Sequence, residues 1–201
     1  MNDAALTSER ILEAAEDVLR RFGPAKATVV DVARALGVSH GSVYRHFPSK
    51  AALRDAVTER WLHRVSGPLD AIARGKGPAP DRLRRWLEQL MAAKRRKVLD
   101  EPELFATYFR LAADAREVVG THVQELTGQL ARIIADGIES GAFTVKDAQA
   151  TARAVFNATA RFHNPSHAAE WSDPAIDRDF EGVWLLLLAA LTAPDNRNRK
   201  K

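Results

Sequence analysis

"GVSHGSVYRHFPSK", residues 37–50, holds two glycines, two histidines, a tyrosine, an arginine and a lysine, but only three large apolar side chains, Val38, Val43 and Phe47. Its punctuation organises it. Gly37 suits the position just past a helix end, where a left-handed backbone is least costly for glycine. Ser39 is a good N-cap for a short helix over about 40–46, and Pro48 closes it. Val43 and Phe47, four apart, give that helix one inner edge. His40, Gly41, Ser42, Tyr44, Arg45 and His46 are left toward the open side. Such a helix is either an ordinary solvated surface helix or one whose outer face meets another molecule.

On both sides of this stretch the periodicity is helical throughout, with no window of sustained alternation. Upstream, Ile11, Leu12, Ala15, Val18, Leu19 and Phe22 form one stripe of a helix over about 8–22, stopped by Gly23-Pro24. Thr28 opens a second helix, with Asp31 three residues on as a capping-box partner. Downstream, Ser49 caps a long fourth helix buried along Leu53, Ala56, Val57, Trp61 and Val65. "ARGKGPAPD", residues 73–81, is the clearest break. Helices are predicted beyond it at about 80–98, 102–114, 116–140, 147–163 and 174–192, with Thr144 and Asp147 as another capping pair. The expected fold is all-α, with about nine helices. Residues 1–50 form a three-helix domain, residues 51–193 a larger helical domain, and residues 194–201 a basic, disordered tail.

Helix, tight turn, short helix is the layout of a helix-turn-helix, whose second helix enters the major groove of DNA while the first crosses the backbone. The exposed residues suit that use. Gly41 and Ser42 are small enough for close approach to a duplex. Arg45 offers a two-pronged donor set to guanine. Tyr44 and His46 suit phosphate oxygens, which set register without reading sequence. Lys50 adds positive charge at the start of the fourth helix, where free backbone N–H groups already favour an anion.

Residues 27–57, "ATVVDVARALGVSHGSVYRHFPSKAALRDAV", resemble the DNA-binding signature of TetR-type transcriptional regulators. The matching pieces are Thr28, the Ala33-to-Gly37 segment, "GVS" before the recognition helix, the Tyr44–Phe47 pair, and "SK" with Leu53. The resemblance implies a two-domain all-α homodimer that binds a palindromic operator, usually as a repressor, and is released by a small molecule in its C-terminal domain. Thr28, Ser39, His40, Gly41, Ser42, Tyr44, Arg45, His46 and Lys50 are the expected DNA contacts. His40 is a variable position in such proteins, so its role stays open. An activator, or a regulator without a small-molecule effector, is the alternative.

In the C-terminal half, "FEGVWLLLLAAL", residues 180–191, is apolar around nearly its whole circumference, so it is a core helix or a subunit contact. The 147–163 helix keeps a small-residue surface at Ala148, Ala152, Ala154 and Ala158. The resemblance assigns these last two helices to the dimer interface. An effector site among the fourth to eighth helices has Trp61, Trp86, Leu90, Phe105, Phe109, Val123, Phe156 and Phe162 as candidate lining residues. Each of them could equally be plain core. A mainly aromatic lining implies a hydrophobic effector. His163 and His167, four apart, suggest a metal site, but Pro165 interrupts the helix between them and no ligand set is completed, so the stretch reads as a helix-ending corner. "KRRK", residues 94–97, reads as the solvated end of a helix, where cations suit the dipole.

Composition sets the outer bounds. Net charge is +4, but "PDNRNRKK" at the end holds four positive charges and one negative, so the remaining chain is close to neutral at +1. The case for nucleic acid therefore rests on local geometry rather than on overall charge. Cysteine is absent, which rules out disulfides and thiolate metal sites. The start of the chain lacks the pattern of a secretory signal, and the longest apolar run, from Val183, is well short of the ~20 residues that span a bilayer. A cytoplasmic protein is the expectation. No nucleophile–base arrangement, phosphate-cradling loop or metal motif points to an enzyme, and no cofactor is expected.

Overall fold

The structure, a computed structural model, describes residues 6–193; the basic tail expected over 194–201 lies outside the described residues. Eleven helices and no strand are found among the described residues. They are α1 (Ser8–Lys26), α2 (Val29–Leu36), α3 (His40–Tyr44), α4 (Lys50–Ala73), α5 (Ala79–Asp100), α6 (Pro102–Asp114), α7 (Arg116–Glu139), α8 (Ala148–Ala158), α9 (Ala160–His163), a 3-10 segment (Pro165–Glu170) and α10 (Ile176–Thr192). The chain divides into two units. The first runs through His63 and includes Glu101–Thr121; the second comprises Arg64–Asp100 and the chain from His122 onward.

Local hydrogen bonds set most helix ends. Thr28 and Asp31 form a reciprocal capping box at α2, and Gly37 ends that helix at φ +68°. Ser39 accepts from the backbone N–H of Ser42, and Ser49 from that of Ala52. Gly23 stands at φ +72° and marks a kink near the end of α1. Just before it Phe22, expected on the buried stripe, is 49% exposed.

In the first unit α1 packs on α2 and α6, and α2 on α3. Its core includes Ile11, Val18, Val32, Val43, Val57, Trp61 and Tyr108. The indole of Trp61 stacks on Tyr108, with centroids 4.7 Å apart and planes 5° from parallel. The second unit gathers Leu69, Leu83, Trp86, Leu90, Leu130, Ile134, Phe162 and Trp184 into one core. A buried polar chain crosses it: Trp86 Nε1 donates to Gln129 Oε1 (2.9 Å), and Gln129 Nε2 donates to the carbonyl of Ser66 (3.0 Å). The ring of Phe143 lies where a side chain on Gly137 would sit, so only glycine fits there without a shift.

The second unit departs from the sequence reading in three places. The helix expected over 147–163 breaks at Thr159, whose hydroxyl donates to the carbonyls of Val155 and Phe156. Bonding back to the preceding turn in this way bends helices. Asp147 alone caps α8, accepting from the N–H of Ala150. Thr144 instead ties its backbone N–H and its hydroxyl to the carbonyl of Leu191. Finally, the run over 94–97 is a solvated helix end only in part: Arg96 is exposed and Lys97 stands in the last turn of α5. Lys94 is 5% exposed because it continues the buried stripe of Leu83, Leu87, Leu90 and Met91.

Candidate nucleic-acid interface

The short helix α3 is held from beneath. Val43 is wholly buried, Phe47 is half-buried, and the backbone N–H groups of His46 and Phe47 both donate to the carbonyl of Val43. His40, Gly41, Tyr44, Arg45 and His46 are exposed, while Ser42 is half-buried. The polar side is therefore turned to solvent, with little apolar area given up to anchor it.

Several side chains on that side are already oriented. The His40 and Tyr44 rings meet edge-on, 6.2 Å between centroids. Arg45 Nη2 donates to Ser42 Oγ at 3.2 Å, and Ser42 Oγ lies 3.0 Å from Ser39 Oγ. This chain of hydroxyls steers the guanidinium while leaving its other N–H groups for a partner. His46 Nδ1 lies 3.2 Å from Ser8 Oγ, tying the end of the motif to the first turn of α1. A Cβ added to Gly41 would meet nothing closer than Ser39 Oγ at 3.8 Å, so nothing inside the fold demands glycine there.

The flanks are set by charge and capping. The hydroxyl of exposed Thr28 donates to Asp31 Oδ2 at 2.6 Å. That bond comes first among the causes that hold the Asp31 carboxyl below its ordinary value. Lys50 is the exposed first residue of α4. Arg60 gathers three carboxylates of α1, Glu9 (2.9 Å), Glu16 (3.3 Å) and Glu13 (3.6 Å), and so clamps α1 against α4. Neither the Ser8–His46 contact nor this clamp shows in the sequence, because each joins residues of separate elements that have no fixed spacing.

Residues 11–57 match the bacterial regulatory proteins of the tetR family, and residues 79–184 match the tetracyclin repressor-like C-terminal domain. The chain belongs to the TetR family. TetR proteins are bacterial regulators of transcription rather than enzymes. This TetR protein is 39% identical over 57 residues to the HTH-type transcriptional regulator TtgR of Pseudomonas putida, covering 28% of this chain and 27% of TtgR. It spans about 27–30% of the length of the first curated relatives it matches. Its fold is similar over most of its length to SmeT, the repressor of a Stenotrophomonas maltophilia multidrug efflux pump (TM-score 0.62, 21% identity, 92% of this chain and 90% of that one). It is also similar to RolR in complex with resorcinol (TM-score 0.62, 18% identity, 92% and 89%).

The expected effector-lining residues fall into two groups. Trp61, Phe105 and Phe109 belong to the first unit, where Phe105 and Phe109 stack at 6.4 Å and Phe109 is 44% exposed. Trp86, Leu90 and Phe162 are buried in the second unit, and Val123 and Phe156 are half-buried there. The two histidines singled out in the sequence go to different partners. His163 Nε2 lies 3.2 Å from the carbonyl of Phe156 and 3.3 Å from Thr159 Oγ1. His167 Nδ1 lies 2.7 Å from Glu170 Oε1. No described helix is long and apolar enough to cross a membrane.

Proposed function

We propose that this chain represses transcription by binding a palindromic operator as a homodimer, and that a small hydrophobic effector releases it. The observation that carries the reading is the sparsely anchored α3, with Val43 inside and His40, Tyr44, Arg45 and His46 outside. Thr28, Ser39, Gly41, Ser42 and Lys50 complete the DNA-facing set. Tyr44, His46 and Lys50 hold phosphates, and Arg45 reads a base edge.

Dimerisation through α8 and α10 is supported by Leu185 and Leu186, which are 63% and 73% exposed, and by the exposed small residues Ala154, Ala158, Ala189 and Ala190. Exposed apolar area of this kind marks an interaction surface. Two-fold symmetry then sets two copies of α3 ~34–36 Å apart, one turn of the duplex. The similarity in fold to RolR, whose structure holds resorcinol, supports an effector among Trp86, Leu90, Val123, Phe156 and Phe162, with the Trp61, Phe105 and Phe109 group as the other candidate. The effector acts by favouring one of two conformations, within the limit of its differential affinity for them.

Binding of purified variants to duplex DNA tests this. Tyr44→Ala should weaken binding to all sequences alike, and Leu186→Glu should give a monomer without tight operator binding. Wild-type binding by a monomeric Leu186→Glu protein would overturn the dimeric reading.

A further inference from the structure

The run Lys94-Arg95-Arg96-Lys97 places its first two cations inside the second unit. Lys94 lies on the same stripe of α5 as Leu87, Leu90 and Met91, and its charge acts on His163 of α9. Arg95 reaches α10, where its Nη1 donates to Asp177 Oδ1 at 2.6 Å. Asp177 is mostly exposed, whereas the Arg95 side chain is only 18% exposed. The Arg95 Nε and Nη2 atoms are buried without an acceptor. In a planar guanidinium these two nitrogens present parallel N–H groups along one edge, which matches both oxygens of a carboxylate or phosphate at once. A buried donor pair left unmatched is unfavourable, and a negative oxygen pair relieves it. Burial, and secondly repulsion from Lys97, lower the pKa of Lys94 to about 8, so the ammonium stays charged at neutral pH.

Apolar side chains lie beside Lys94 along α5 and around His163. Leu90 and Phe162 are buried, and the Phe156 ring lies 4.5 Å from that of His163. We propose that the Arg95 edge and the Lys94 ammonium form an anion site between α5 and α9–α10, and that the effector is an amphiphilic anion: an apolar body ending in a carboxylate or phosphate. This refines the effector class and rests on the ligand-responsive reading above. A purely hydrophobic effector would leave the Arg95 edge unmatched, whereas an acidic one fills it and seats its body on Leu90, Phe156 and Phe162.

Calorimetry and thermal unfolding of the full chain test this with octanoate, benzoate and hexyl phosphate, at constant ionic strength, beside the uncharged octanamide and benzamide. At least one anion should bind, and each anion that has an amide counterpart should bind at least tenfold more tightly than that amide. Arg95→Gln should lose at least tenfold in anion affinity, Lys94→Met severalfold, and the exposed neighbour Arg96→Gln less than twofold. Should Arg95→Gln fail to fold, the Lys94→Met and Arg96→Gln pair decides the matter. No anion binding by the wild type, equal binding of amide and anion, or anion binding unaffected in the folded variants overturns the site. Operator binding by the unliganded protein is scored separately: its absence refutes the repressor reading, while its presence without anion binding refutes only this site.

Discussion

Replacing Arg45 with alanine separates reading from adhesion. Arg45 is exposed and makes one described side-chain bond, to Ser42 Oγ at 3.2 Å in solvent. Its loss should therefore change folding stability by no more than about 0.5 kcal/mol. If the guanidinium makes a bidentate contact to a guanine edge, the loss of discrimination is about 1–3 kcal/mol, roughly 5- to 150-fold at that base pair. Fluorescence anisotropy on a selected operator and on single-base variants of it gives the preference at each position, and repeating it across salt concentrations gives the charge contribution. The expected result is a flattened preference at one base pair per half-site. A uniform loss on every sequence, with the slope of log affinity against log salt reduced by about 0.9, would instead make Arg45 a phosphate contact. Unchanged base preferences would refute the role assigned to it.

Gly41→Ala should bind the operator more weakly while the protein becomes more stable by up to about 1 kcal/mol, since the fold has room for the Cβ and alanine is the better helix former; parallel urea titrations and anisotropy check both signs. Gly137→Ala should destabilise by about 1–3 kcal/mol or more in urea unfolding, because its Cβ would overlap the buried Phe143 ring. His163 should make stability fall on acidification. Burial lowers its pKa from 6.5 to about 4, so between those values the unfolded chain holds the proton and the folded one does not. Stability is full above about pH 6.5 and declines by about 3 kcal/mol as pH falls to 4, a slope that His163→Gln should remove in unfolding curves taken across that range.

What the sequence made legible was local. The Thr28–Asp31 box, the Ser39 and Ser49 caps and the Gly37 turn are bonds between residues three to five apart, so composition and spacing reveal them. The polar side of α3 was legible for the same reason, since Val43 and Phe47 define its inner edge. What escaped depends on which elements meet. Lys94 looked solvated because its neighbours are charged, yet helical geometry puts it in line with Leu87, Leu90 and Met91. The break at Thr159 rests on one hydroxyl turned back on its own helix. The Arg60 clamp and the Ser8–His46 contact join residues 38 to 51 positions apart, beyond any local pattern.

The most direct test is selection of duplexes bound by the purified protein from a random pool. The expected product is an inverted repeat whose half-site centres lie one helical turn apart, about 10 base pairs, or a multiple of that. Recovery of no enriched sequence, or of a single half-site without symmetry, would contradict it.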